Sequence, residues 1–115
     1  MTCEAAVELL ICHRWWLVRD DFLVHVEFCR GFRGVSLAVI DWPAVWAALE
    51  DGHLPCSSGE CQVLRVAASI AEGVPIDLRD VATCVDAGNS GLVARAVLTA
   101  GGHREAAAAL AGVMP

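Results

Sequence analysis

A chain of 115 residues with 57% hydrophobic and 19% charged side chains suits a single globular domain over 1–115, and its composition excludes intrinsic disorder. The formal charge of −6, with eight basic residues that are all arginine and are spread along the chain, excludes the footprint of a typical nucleic-acid binder. No run reaches the ~18 apolar residues of a membrane span, and Glu4 and Glu8 stand where a signal peptide carries positive charge, so the expected compartment is the cytoplasm, without membrane contact.

The first segment, CEAAVELLICHR, sets Val7, Leu10 and Ile11 at helical spacing and ends on His13-Arg14, at the negative end of the dipole. A short amphipathic helix is expected. Trp15-Trp16-Leu17-Val18 is too compact an apolar run to face one way, so part belongs to the core and part to an interface. From Phe22 the apolar residues Phe22, Val24, Val26 and Phe28 alternate, as do Val35, Leu37 and Val39 after the turn RGFRG. The economical reading is a hairpin over about 22–41. A helix over 20–29 is the competing one, because Phe22, Leu23 and Val26 also share a helical face.

Asp41 is placed to cap the next helix, with Pro43 in its first turn and Trp42, Val45, Trp46 and Leu49 on one face. After Glu50-Asp51-Gly52 and Leu54-Pro55, the stretch ECQVLRVAASIAEG carries Val63, Leu64, Ala67, Ile70 and Ala71 on one side and stops at Gly73. Asp77 caps a helix with Leu78, Val81, Ala82 and Val85. DAGNSG, residues 86–91, reads as a turn, and LVARAVLTA as a helix using Leu92, Val93, Ala96 and Val97 before Gly101-Gly102. The tail, 103–115, has helix propensity but few bulky apolar residues beyond Leu110, Val113 and Met114, and is expected to fray or dock on a partner. These elements predict a predominantly helical α+β domain, one N-terminal hairpin packed against about five helices. No internal repeat or dividing linker emerges.

The chemistry concentrates in HLPCSSGEC, residues 53–61. His53, Cys56 and Cys61 are zinc-ligand types, but the second pair that a common structural site needs is missing from the pattern. Ser57 and Glu60, three residues apart, instead spell a capping box. Cys61 then lies in the first helical turn, where an exposed sulfur is activated, with Cys56 as a resolving partner. The six cysteines, Cys3, Cys12, Cys29, Cys56, Cys61 and Cys84, are otherwise expected reduced and packed as small hydrophobes. Neither HExxH nor a glycine-rich phosphate loop occurs, and no cofactor or catalytic set is expected. Among the four tryptophans, Trp15 and Trp16 lie beside Arg14 and Arg19, residue types favoured in binding hot spots. Arg30 and Arg33, flanking Gly31-Phe32, form the nearest thing to a basic patch.

The run from Asp41 to Gly102 carries DWPAVW, LPCSSGE, LRVAASIAEG and IDLRDVATCVD. Over these residues the chain resembles a group of small, uncharacterised actinobacterial proteins. That resemblance implies no activity and assigns no residue a role, and Cys61 is not part of its pattern. The abundance of alanine and arginine beside a single asparagine, Asn89, also suits a high-GC bacterial genome. The reading is a non-catalytic protein-interaction or accessory module of a bacterial cytoplasm that engages a protein partner or itself, as a homodimer, through apolar surface around the tryptophans. Two alternatives stand beside it: a small thiol-redox or zinc protein centred on Cys56 and Cys61, and a DNA-binding regulator using the helices 58–73 and 77–85.

Overall fold

The structure, a computed structural model, describes residues 2–30 and 36–113, with side chains described over 2–27 and 39–110. The turn RGFRG, the Arg30/Arg33 patch, the inward or outward facing of Phe28, Val35 and Leu37, and the contributions of Cys29, Val113 and Met114 lie outside this description. Within it the chain is predominantly helical, with one antiparallel hairpin. The order is α1 (Thr2–His13), a 3-10 turn (Trp16–Val18), α2 (Asp20–Leu23), β1 (Val26–Arg30), β2 (Ser36–Ile40), α3 (Trp42–Glu50), α4 (Ser58–Glu72), α5 (Leu78–Cys84), α6 (Ala87–Ala100) and α7 (Arg104–Val113).

Helix α4 is central: α1, α3, α5 and α6 all pack on it, and α1 also lies along α6. Its apolar stripe is wide enough for this task. Val63, Leu64, Val66, Ala67 and Ala68 are all buried, and the small alanines let neighbouring helices approach closely. Of the expected inward trio on α1, Leu10 is buried and Val7 packs against the core, while Ile11 turns outward. Ala5, Ala6, Leu9 and Leu10 are buried while Ile11 is 56% exposed. Apolar residues lie on more than one side of this helix, and the two alanines select the face that fits between α4 and α6.

The hairpin begins later than the alternation predicts. Residues 20–23 form a single helical turn that carries Phe22 into the core, its ring 5.8 Å from that of Trp16 and tilted by 47°. Full burial of such a side chain stabilises the fold by roughly 1.5–3 kcal/mol, more than the strand propensity of a few residues. The chain then enters β1 at Val26, which pairs with Ile40, and the register continues to Arg30 opposite Ser36. Both readings of 20–29 therefore hold for part of it, the helix before the strand.

Caps set the helix starts. Asp41 accepts from the Ala44 amide at 3.1 Å, and Asp77 from Arg79 at 2.9 Å. Asp86 does the same for the Asn89 amide at 2.8 Å, so DAGNSG is the first turn of α6 and not a separate loop. A good cap offsets the weak helix propensity of Gly88, Asn89 and Gly91. At the other end of α4, Gly73 adopts φ 73°, the left-handed conformation that closes the helix through its amide to the Ser69 carbonyl. The tail, with its expected helix propensity, forms α7. An alanine-rich helix can sit close to α6, and Ala107 is buried there.

Candidate functional site

The start of α4 is a complete capping box. The Ser57 hydroxyl accepts from the Glu60 amide at 3.2 Å, and the Glu60 carboxylate accepts from the Ser57 amide at 2.7 Å. This numbering makes Cys56 the residue before the cap and Cys61 the fourth residue inside the helix. In helix starts of this type those two positions pack on one another as a hydrophobic staple, and here both are thiols. Each is half-buried against the core. Burial and the neighbouring Cys61 push the Cys56 thiol up to about 11, against a smaller opposing effect of the Arg19 charge.

Two arginines flank the pair, each lying over a tryptophan. The Arg65 guanidinium is 5.0 Å from the Trp46 ring centroid, donates from Nε to Cys61 Sγ at 3.3 Å, and reaches Glu50 at 2.6 Å. Burial works against its charge, and the contacts with Cys61 and Glu50 more than offset that effect. The Arg19 guanidinium is 4.7 Å from the Trp16 centroid, pairs with Asp21 and donates to the Pro55 carbonyl at 2.6 Å. Through that pairing Arg19 holds the Asp21 carboxyl below its ordinary value. Positive charge thus borders both sulfurs, although at Cys56 burial outweighs it.

The sequence-derived sites divide accordingly. Trp16 is fully buried and its indole Nε1–H donates to the Glu60 carbonyl at 3.1 Å, so it is removed from the set of surface anchors. Arg19 is partly buried and spends three of its N–H bonds on Asp21 and Pro55. Trp15, 41% exposed, and Arg14 remain at the surface. Arg14 holds φ 62° just past the end of α1. His53 is exposed, and among the described residues no three His, Cys, Asp or Glu side chains converge on a point that could hold a metal ion. The sequence pattern signalled the thiols and the cap, but not the two arginines, which arrive from 37 positions upstream of Cys56 and from the next turn of α4.

Cys61 borders an open groove that is also lined by Glu50, Gln62, Arg65, Asp77 and Asp80. Carboxylates outnumber the cation among these lining residues.

A second groove, between α5 and α6, has a different character. Leu78, Val81 and Ala82 face Val93, Ala94, Val97 and Leu98, with Ser90 at one end. On α6 these residues recur at i, i+3, i+4, i+7 and i+8, a single helical stripe. Leu78 is 73% exposed and Val97 55%, although sequence periodicity assigns both to the core. The other faces of α6 are already occupied by α1 and α7. Among the described residues no helix is long and apolar enough to cross a membrane.

No protein-family model, curated protein sequence or solved structure matches this chain.

Proposed function

We propose that the chain is a non-catalytic interaction module of a bacterial cytoplasm, which pairs with a second copy of itself through the groove between α5 and α6. The observation that carries this reading is the exposure of Leu78 and Val97 on a contiguous apolar stripe. Contiguous apolar surface of this kind costs free energy in water and marks interaction sites. The stripe is also self-complementary. Leu78 and Val97 project as knobs beside the small Ala82 and Ala94, so a copy related by a two-fold axis places each knob over a shallow position of its partner.

The interface reading from the tryptophans is moved by this argument to another part of the surface, since Trp16 serves the core. Sedimentation velocity over a range of concentrations tests the proposal. Wild-type protein is expected to dimerise, and Val97→Glu to remain monomeric with an unchanged circular dichroism spectrum. A wild-type chain that stays monomeric at sub-millimolar concentration would overturn the pairing.

A further inference from the structure

We infer that Cys61 and Cys56 form a thiol–disulfide exchange site, with Cys61 as the attacking sulfur and Cys56 as the resolving one, for disulfides that carry no net negative charge. Three observations carry this independently of the α5/α6 groove. The capping box places the two thiols at the staple positions of α4, so they are brought together by the same bonds that start the helix. The Arg65 Nε–H rests on Cys61 Sγ at 3.3 Å, where it stabilises negative charge on the sulfur. Cys61 alone of the pair borders the open groove, so a reagent arriving from solvent meets it first.

The reaction closes without an outside reductant or oxidant other than the disulfide itself. The Cys61 thiolate attacks one sulfur of R–S–S–R, forming Cys61–S–S–R and expelling RS⁻, which takes up a proton. The Cys56 sulfur, giving its proton to solvent, then attacks the Cys61 sulfur and expels the second RS⁻. Two protein thiols are oxidised to one disulfide, and R–S–S–R is reduced to two RSH. Capture of Cys61 leaves the resolving Cys56 beside the mixed disulfide at the staple position, where its attack returns the second RS⁻ to solvent. The staple becomes covalent while the helix start stays intact.

The groove also sets the substrate class. Glu50, Asp77 and Asp80 surround the approach to Cys61, with Arg65 turned onto Glu50 and the sulfur. A neutral or cationic disulfide is accepted there, and an anionic one is repelled.

The reduced full-length chain is treated at low salt with bis(2-hydroxyethyl) disulfide, cystamine or oxidised glutathione, and followed by intact mass and peptide mapping. Wild type is expected to end with a Cys56–Cys61 disulfide, lighter by two hydrogens at those residues, with no probe retained on either. Cys56→Ser should hold one probe on Cys61, and Cys61→Ser should leave Cys56 unmodified. Arg65→Met should slow capture at Cys61 several-fold while the exposed Cys84 reacts at its former rate. Cystamine should react several-fold faster than oxidised glutathione, a preference that fades as salt is added. Probe retained on wild-type Cys61, first capture at Cys56, an Arg65→Met rate equal to wild type, or a preference for glutathione disulfide would each overturn the assignment.

Discussion

Trp16 donates its indole proton to the carbonyl of Glu60 at 3.1 Å, and the carboxylate of that same Glu60 closes the capping box of α4. The fully buried ring of the 3-10 turn is thereby joined to the first turn of the central helix, 44 residues further along the chain. Arg19 adds a second tie from the same segment, to Pro55. The stretch 53–61 is consequently held from outside as well as by its own cap.

Truncating that anchor should be among the costliest changes in the chain. Trp16→Phe keeps a ring but loses the hydrogen bond, and should lower stability by about 1–2 kcal/mol. Trp16→Ala also leaves a cavity beside Phe22 and should cost about 3–5 kcal/mol. Urea unfolding followed by circular dichroism at 222 nm measures both, and equal midpoints for the two variants would contradict the role given to the ring.

The capping box makes a smaller and more local prediction. Ser57→Ala should cost about 1 kcal/mol, because a first-turn amide loses its acceptor. Hydrogen exchange should show faster exchange at Glu60 and Cys61 than in wild type, with the amides of α6 unaffected.

Arg14 sits in the left-handed region at the position after α1 where glycine is usual, with its amide bonded to the Leu10 carbonyl at 3.1 Å. Its side chain is exposed, so little packing is lost on removing it. Arg14→Gly should raise stability by about 0.5–1 kcal/mol, read as a higher urea midpoint at an unchanged slope. A lower midpoint would mean that the arginine makes a stabilising interaction that outweighs the backbone strain.

His13 predicts a pH dependence. Burial lowers its pKa from the ordinary 6.5, opposed by the charges of Glu60 and Asp86, and its buried Nδ1 has no hydrogen-bond partner among the described residues. The folded protein therefore binds the proton less readily than the unfolded chain. His13's contribution is complete above the ordinary value and is lost as pH falls below it, because protonation then favours unfolding. Urea midpoints between pH 7.5 and 5 should decline for wild type, and the decline should be shallower in His13→Gln.

Several features were legible because they are local. Asp41, Asp77 and the Ser57/Glu60 pair each act on amides within a few residues, and Gly73 ends α4 by its own backbone freedom. The apolar faces of α3 and α4 follow from the helical period, since Trp42, Val45 and Leu49 and then Val63, Leu64 and Ala67 fall inward as their spacing predicts. The strand reading holds over Val26–Arg30 and Ser36–Ile40, but the expected inward face does not hold at the end of β2, where Val39 is 53% exposed and Ile40 is buried instead. It failed at Phe22, where a contact with Trp16 outweighed it, and the turn reading of DAGNSG failed because the Asp86 cap compensates for poor helix formers.

What the sequence by itself determined, then, is the class of fold, most helix boundaries and the juxtaposition of Cys56 with Cys61, all of them consequences of short-range bonding and periodicity. Tertiary structure alone decided which stripe of α1 is buried, that Trp16 turns inward and Trp15 outward, that Leu78 and Val97 are left uncovered by the chain's own fold, and that Arg19 and Arg65 converge on the thiols. These outcomes depend on the free energy of bringing residues from distant parts of the chain together. An apolar residue or an arginine has the same local pattern whether or not a partner is waiting for it.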